Sequence, residues 1–183
     1  MAISDPLQRV VVVGCSCAGK TTFGAALADA LGCTAFDLHP LNYGHDWRVK
    51  PLAEFRELVA QAATSQRWVA SGNYAEVRDI LWGRATAIVW LNYGFSTVMT
   101  RALRRTVRRA TRREALWHGN RETFRMSFLS RESVLLNVAT SFAARREQIG
   151  ALRAADAFPG VAWIEFHSPQ QAGRYLAQFR KDS

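Results

Sequence analysis

An eight-residue pattern near the start of the chain constrains its fold more than any other feature. Residues 14–21 read Gly-Cys-Ser-Cys-Ala-Gly-Lys-Thr and fit the pattern G-x-x-x-x-G-K-[ST] at every position. The β-branched run Arg9–Val13 before it predicts a fully buried strand, and a helix is predicted from about Lys20 to Leu31. A buried strand, a glycine-containing loop and a helix in this order favour an α/β fold whose first loop binds an anion.

The residues of this loop suit the phosphate groups of a nucleotide. Its glycines let the backbone approach closely, and its N–H groups and the helix N-terminus attract anionic oxygens. Lys20 is predicted to reach the terminal phosphates of ATP, and Thr21 to offer its hydroxyl group to Mg²⁺. The predicted ATP-binding residues are therefore Gly14, Cys15, Ser16, Cys17, Ala18, Gly19, Lys20, Thr21 and Thr22, with Thr21 as the Mg²⁺ ligand.

Strand and helix patterns alternate along the rest of the chain, with no internal repeat or linker between them. Further strands are predicted at 34–37, 67–71, 86–91 and 161–166. Helices are predicted after Pro51, over 95–113, from about 122 to 148, and after Ser168-Pro169, where the serine caps the helix. This alternation predicts one domain, residues 1–183, built on a parallel sheet that is covered on both faces.

Charge and cysteine content narrow the class of protein further. The chain has 24 Lys plus Arg against 15 Asp plus Glu, a net charge of +9, and only three of these cations are lysines. Arginine binds phosphate bidentately and stacks on flat rings, which favours an anionic partner, although a GC-rich genome also enriches arginine. Three cysteines, no signal-peptide pattern and no apolar run of about 18 residues lead us to expect a cytoplasmic protein without a membrane span.

The predicted helix over 95–113 is rich in arginine. At about 100° per residue these side chains fall mainly on one face, which carries Arg101, Arg104, Arg105, Arg108, Arg109, Arg112 and Arg113. The apolar residues of the opposite face are Met99, Ala102, Leu103, Val107 and Ala110. Like charges four residues apart destabilise a helix, so bound anions or acidic neighbours are expected to offset them.

Four segments together resemble the small P-loop proteins described as adenylate-kinase-related or topology modulation proteins, which are P-loop nucleoside and nucleotide kinases. The segments are Gly14–Thr21, Phe36–His39, Trp68–Tyr74 with the following Arg78-Asp79, and Leu116–Glu122. The resemblance extends from Val10 to about Phe179. It implies a five-stranded parallel sheet of order 2-3-1-4-5 flanked by helices, with an arginine-rich helical lid inserted at about 110–131. It also implies transfer of the γ-phosphoryl group of ATP to a hydroxyl or phosphate acceptor.

Two positions depart from the pattern of these relatives. Relatives usually have glycine where this chain has Cys17, and their third strand often ends in Asp-Gly where this chain has Ser71-Gly72. In these relatives, a carboxylate at the end of the third strand commonly assists Mg²⁺ through water. In this chain, therefore, either Asp37 or another carboxylate compensates, or catalysis is weak.

Side chains at the carboxyl ends of the predicted strands are candidates for the chemistry, because open α/β sheets bind ligands at this edge. Asp37 is predicted to orient the acceptor hydroxyl in catalysis, or else to cap the following turn. The predicted acceptor-binding residues are Asp37, His39, Arg48, Asn73, Tyr74 and Arg78, of which Asn73 has an alternative role as a helix cap. Lys20 is the first predicted catalytic cation. In related kinases, cations of the arginine-rich helix and its lid contact ATP, and the matching candidates here are Arg101 and Arg105 for ATP binding and Arg121 and Arg125 for catalysis.

Three functions fit these patterns. The favoured one is a kinase that passes the γ-phosphoryl group of ATP to a nucleoside, a nucleotide or a similar polar molecule. The net charge and the arginine-rich helix fit instead a nucleic-acid-associated ATPase or regulator, although the sequence contains no nucleic-acid-binding motif. Ser71 fits a nucleotide-binding protein with weakened catalysis.

Overall fold

The computed structural model describes residues 7–44, 48–112 and 134–179. The strands are β1 (Arg9–Gly14), β2 (Thr34–Asp37), β3 (Trp68–Ser71), β4 (Ala87–Leu91) and β5 (Ala162–Phe166). The helices are α1 (Lys20–Leu31), α2 (Leu38–Asn42), α3 (Leu52–Ala62), α4 (Arg78–Trp82), α5 (Phe95–Arg112), α6 (Val134–Ala154) and α7 (Pro169–Phe179), and a 3₁₀ turn over Ala75–Val77 precedes α4. None of the helices in these ranges combines the length and the apolar character that a membrane span requires.

The five strands form one parallel sheet in the order β2-β3-β1-β4-β5, as expected. Residues Val10–Val13 of β1 are fully buried and belong alternately to two hydrophobic cores. Because successive side chains of a strand point to opposite faces, one core lies on each side of the sheet. This arrangement confirms the predicted fold and places the loop after β1 at the middle of the sheet edge.

Most predicted elements have the expected positions, and the main difference lies in α6. Each strand begins and ends within one residue of its predicted bounds. Helix α6 continues to Ala154 rather than ending at 148, because Ile149 is buried and Leu152 packs against the same core. Its start, predicted at about 122, and residues 113–131 of the predicted lid lie outside the described residues.

The inward face of α5 differs from the face that the sequence predicts. Its buried residues are Val98, Ala102 and Thr106. Leu103 and Val107, which belong to the apolar face that the sequence predicts, are 49% and 48% exposed. The helix instead turns one edge of its arginine face toward the loop after β1, where Arg101 donates a hydrogen bond to a loop carbonyl. The periodicity of one helix predicts which residues share a face. It does not predict how the helix is rotated against the rest of the protein, which here depends on the contact of Arg101 with the loop.

Helix α1 packs closely against β3, and a glycine makes this possible. Ser71, the last residue of β3, is buried and donates a hydrogen bond from Oγ to the carbonyl oxygen of Lys20 at 3.1 Å. Gly24 of α1 faces the same hydroxyl group. A Cβ at Gly24 would collide with Ser71 Oγ, although it would lie 3.7 Å from Ser71 Cβ. The short side chain of Ser71 and the absence of a side chain at Gly24 therefore let the first turns of α1 pack directly against the sheet.

We expect Gly24→Ala to destabilise the protein by about 1–3 kcal/mol, because Ser71 must rotate away from its buried bond or α1 must move. In a Ser71→Ala background the same substitution should be neutral or stabilising by up to about 1 kcal/mol, since the collision is gone and alanine favours the helix. Urea unfolding of the four proteins measures the coupling. Equal costs of Gly24→Ala in the two backgrounds would contradict the described contact.

Candidate active site

The loop between β1 and α1 depends on left-handed backbone conformations. Gly14 has a φ of 147°, Gly19 of 95° and Cys17 of 61°. At Gly14 space also excludes a side chain, because a Cβ there would lie 2.7 Å from the carbonyl oxygen of Leu91. For a residue with a Cβ, the left-handed conformation costs about 1–2 kcal/mol. Cysteine instead of glycine at position 17 therefore keeps the left-handed conformation of the loop, at the cost of some backbone strain.

We expect Cys17→Gly to raise the free energy of unfolding by about 0.5–1 kcal/mol. Glycine removes the left-handed strain but loses more chain entropy on folding, so only part of the strain is recovered. Cys17→Ala is the matched control, because alanine keeps the strain and should give no gain. Thermal unfolding of the three proteins is the measurement. If Cys17→Gly is less stable than Cys17→Ala, backbone strain at this position is not the controlling factor.

Lys20 lies folded over the loop. Its Nζ donates hydrogen bonds to the carbonyl oxygens of Gly14 at 3.1 Å and Cys15 at 3.0 Å. Desolvation lowers the pKa of Lys20, the carboxylate of Asp37 acts in the opposite direction, and the charge of Arg145 lowers it further. An ammonium group removed from water and bonded to neutral carbonyl oxygens favours the arrival of an anion.

The side chain of Asn73 holds the start of the loop. The N–H of Gly14 donates to Asn73 Oδ1 at 3.1 Å, and Asn73 Nδ2 donates to the carbonyl oxygen of Gly14 at 2.5 Å. Both polar atoms of the amide group thus bond the first residue of the loop. The sequence indicated Asn73 as an acceptor contact or a helix cap, and the structure places its amide group on the loop instead.

We expect Asn73→Asp to weaken ATP binding at least about tenfold and to lower stability by about 1–3 kcal/mol. Aspartate can still accept from the N–H of Gly14, but it turns a second oxygen toward the carbonyl and adds negative charge beside the bound phosphates. Calorimetric titration with ATP and urea unfolding measure the two effects.

Asn92→Asp is the matched control, because it disrupts a comparable bond from Asn92 Nδ2 to Glu165 Oε1, 2.6 Å long, which joins the residue after β4 to β5. It should lower stability without the loss of ATP affinity. Equal losses of affinity in the two variants would show that general destabilisation, rather than the bond to Gly14, is responsible.

Asp37 joins the end of the loop to the end of β2. The hydroxyl group of Thr21 donates to Asp37 Oδ2, and Asp37 Oδ1 accepts from the N–H of His39 at 2.9 Å. Asp37 also lies opposite Ser71 in the pairing of β2 with β3. A carboxylate thus lies on the strand next to Ser71, at the same level of the sheet.

The oxygen atoms of Thr21 and Asp37 fit the preference of Mg²⁺ for hard oxygen ligands. Within the described ranges no group of three or more His, Cys, Asp and Glu side chains could hold a metal ion. A Mg²⁺ ion that takes one or two ligands from the protein and the rest from phosphate and water suits such a site.

His39 and Tyr74 form one wall beside Asp37. His39 Nδ1 lies 2.9 Å from the hydroxyl oxygen of Tyr74, and the ring of Tyr74 meets Phe55 edge-on at 5.3 Å between ring centres. Burial raises the pKa of Tyr74, so the phenol keeps its proton at neutral pH. Arg48 is exposed, and its described hydrogen bond is made by its backbone oxygen, which accepts from the N–H of Gly44.

Two arginines of α5 reach the loop. Arg101 Nη1 donates to the carbonyl oxygen of Ala18 at 2.7 Å, and its guanidinium group lies 5.3 Å from the ring centre of Tyr93. Arg105 Nη1 lies 4.0 Å from Cys17 Sγ, and its buried Nε has no hydrogen-bond partner among the described residues. The structure thus brings together the loop and both α5 residues expected to contact ATP, whereas Arg121 and Arg125 lie outside the described residues.

Helix α6 contributes residues to the site that the sequence analysis missed. Ser16 Oγ donates to Asn137 Oδ1 at 3.0 Å, and Arg145 Nη1 lies 3.5 Å from the backbone oxygen of Asn73. The inward stripe of α6 consists of Val138, Phe142, Arg145 and Ile149. An arginine at an inward position of an otherwise apolar stripe was the available sequence signal.

Arg78 is the first residue of α4, and its guanidinium group lies 5.2 Å from the ring centre of Trp82. Burial lowers the pKa of Arg78, the charge of Arg145 lowers it further, and Glu76 raises it. Arg145 therefore acts electrostatically on both Arg78 and Lys20.

Comparison with known proteins supports the fold. No protein-family model matches the chain, and no curated protein matches its sequence. Among solved structures, a shikimate kinase from Acinetobacter baumannii in complex with shikimate matches with a TM-score of 0.52 at 20% identity, over 96% of this chain and 92% of that one. A gluconokinase from Sinorhizobium meliloti and a sugar kinase from Janibacter both match with a TM-score of 0.50, at 17% and 16% identity, over 96% of this chain and 95% of theirs. The chain therefore has the fold of the P-loop small-molecule kinases.

Proposed function

We propose that this protein is a kinase that transfers the γ-phosphoryl group of ATP to a hydroxyl group of a small polar acceptor, such as a nucleoside, a nucleotide or a sugar-like molecule. The hydrogen bond from Thr21 to Asp37 carries the proposal. It connects the residue expected beside the terminal phosphates to a carboxylate at the ligand-binding edge of the sheet. Donor and acceptor would therefore meet at Asp37.

The reaction requires little covalent chemistry from the protein. The acceptor oxygen forms a bond to the γ-phosphorus, the bond from this phosphorus to the β,γ-bridging oxygen breaks, and ADP leaves with the electron pair. The hydroxyl proton passes to the carboxylate of Asp37 and then to solvent. The protein's main contributions are alignment and neutralisation of charge.

Charge neutralisation falls to Lys20 and to the arginines near the loop. Lys20 exchanges its carbonyl partners for phosphate oxygens, and Arg101 and Arg105 approach from α5. Mg²⁺, held through Thr21 and Asp37, supplies further neutralisation of phosphate charge when it is bound. Within the proposal, Arg121 and Arg125 belong to a lid at about 110–131 of the same single domain, 1–183, and close over ATP.

The solved structures of similar fold favour a small acceptor. They are a shikimate kinase, a gluconokinase and a sugar kinase. The observation that favours the nucleic-acid alternative is the net charge of +9. The contacts of Arg101 and Arg105 with the loop support the kinase proposal instead, because they place two of these charges beside the expected nucleotide site.

The test is ATP consumption with Mg²⁺, with and without a pooled panel of nucleosides, nucleoside monophosphates, sugars and short oligonucleotides. We expect small acceptors to stimulate turnover and Lys20→Ala to abolish it. Asp37→Asn should lower kcat by about 10²–10⁴, because it removes the proton acceptor and one of the oxygen ligands proposed for Mg²⁺.

Glu57→Gln is the matched control, since Glu57 is an exposed carboxylate on α3 away from the loop. Its turnover should equal that of the wild type. Stimulation by oligonucleotides alone would favour the nucleic-acid alternative, and ATP binding without stimulation by any acceptor would contradict the kinase proposal.

A further inference from the structure

Helix α2 is too short to be stable by itself. It has 5 residues, and Asp37 caps its N-terminus by accepting the hydrogen bond from the N–H of His39. Isolated helices shorter than about 12 residues are marginal in water, so the position of α2 depends on its contacts with the rest of the protein. The direction in which Asp37 holds its carboxylate therefore depends on what holds α2.

The turn after β3 supports α2 at two points. At the first, the hydroxyl oxygen of Tyr74 lies 2.9 Å from His39 Nδ1. At the second, the buried side chain of Leu38 packs on Gly72, where a Cβ would lie 2.8 Å from Leu38 Cδ1. The turn therefore contacts the first two residues of α2, which follow Asp37 directly.

The ring of Tyr74 is packed in place. Phe55 of α3 is buried and meets this ring edge-on, at 5.3 Å between ring centres. Burial raises the pKa of Tyr74, so its hydroxyl group keeps the proton and remains a hydrogen-bond donor as well as an acceptor. A hydroxyl group on a packed ring gives His39 a partner whose position is fixed.

The same turn also holds the loop between β1 and α1. Asn73, the residue before Tyr74, bonds both polar backbone groups of Gly14. Consecutive Cα atoms are about 3.8 Å apart, so these two supports have a nearly constant separation. The covalent structure of one turn thus sets the spacing between the loop and the helix that Asp37 caps.

The two carboxylate oxygens of Asp37 have different partners. Oδ1 accepts from the backbone N–H of His39 at 2.9 Å, and Oδ2 accepts from the hydroxyl group of Thr21. The backbone N–H keeps its direction for as long as α2 stays in place. Thr21 is exposed, and a hydroxyl group rotates to suit its partners. Oδ2 is therefore the oxygen that can exchange its donor for another hydroxyl group.

We propose that Tyr74 is a positioning residue for Asp37, and that through His39 it directs Oδ2 of Asp37 toward the hydroxyl group of the acceptor. The proposal rests on the proposed function and names the oxygen that takes the proton. The acceptor oxygen bonds the γ-phosphorus, ADP leaves with the electron pair of the broken bond, and the hydroxyl proton passes to Oδ2. In this role Tyr74 acts through Asp37 and need not touch the acceptor.

The test is steady-state kinetics of the full-length protein with Mg²⁺, ATP and the acceptor that stimulates ATP consumption most. The variants are Tyr74→Phe, Asp37→Asn and the double variant. Tyr175→Phe is the matched control, because Tyr175 packs against the core on the opposite face of the sheet. His39→Asn keeps a polar atom near the position of Nδ1, and His39→Leu removes it. Circular dichroism checks that each variant is folded.

We expect Tyr74→Phe to lower kcat by about 10–100-fold, because a misplacement of about 1 Å can cost about 10²-fold. The KM for ATP should change by less than about twofold, since Asn73 still holds the loop. In the Asp37→Asn background Tyr74→Phe should have almost no further effect on kcat, because both changes remove the same contribution. Tyr175→Phe should leave kcat unchanged, and His39→Asn should retain more activity than His39→Leu.

The proposal is overturned if Tyr74→Phe or His39→Leu leaves kcat unchanged, or if Tyr74→Phe lowers kcat equally with and without the Asp37 carboxylate. A rise in the KM for ATP by the factor by which kcat falls would also overturn it, because the loop rather than Asp37 would then be affected. In each of these cases turnover by the wild-type protein leaves the kinase proposal standing. Absence of acceptor-stimulated turnover in the wild-type protein would instead reject the kinase proposal and, with it, the positioning role.

Discussion

The end of strand β3 and the turn after it hold both ends of the loop between β1 and α1, and the rest of the candidate site depends on this constraint. Ser71 donates to the carbonyl oxygen of Lys20, where the loop becomes helix α1. Two residues later, the amide group of Asn73 bonds both polar backbone groups of Gly14, where the loop begins. Since β3 lies beside β1 in the sheet, the loop is supported by a neighbouring strand as well as by its own chain. Backbone N–H groups of a loop that is supported in this way stabilise charge without having to reorganise during a reaction.

The same constraint organises the charges. Lys20 folds onto the loop that β3 supports, Asp37 comes from the strand on the other side of β3, and Arg145 meets the turn that follows β3. Positive charge thus collects on the side where a phosphoryl group would move, with one carboxylate facing it. Cations removed from water are costly alone and favourable beside anions, which is why the arrangement fits a site for anionic ligands.

The sequence predicted those parts of the structure that depend on local patterns. The β-branched run of β1 could only fit a buried central strand, and the spacing of glycines and Lys20 indicated the loop. The strand order followed from the family resemblance rather than from the patterns themselves. Asp37 was indicated as a candidate because the end of a parallel strand is a ligand-binding position.

The parts that the sequence did not predict depend on contacts between distant segments. Asn137 bonds Ser16 of the loop from a helix position 121 residues further along the chain, and Arg145 of the same helix meets the turn after β3. No local pattern sets either approach. Helical periodicity put Leu103 and Val107 on the apolar face of α5 but left the rotation of the helix undetermined, and both side chains are about half exposed. Asn73 was indicated at the right edge of the sheet, but its bonds to Gly14 arise from the pairing of β3 with β1.

The most direct measurement of the central claim is a calorimetric titration of ATP into the wild-type protein and Lys20→Ala, each with and without Mg²⁺. A loop preorganised for phosphate should bind ATP with 1:1 stoichiometry, more tightly with Mg²⁺, and at least about tenfold more weakly in the variant. Absence of ATP binding by the folded wild-type protein, or equal affinity in the two proteins, would contradict the assignment of this loop to nucleotide phosphates.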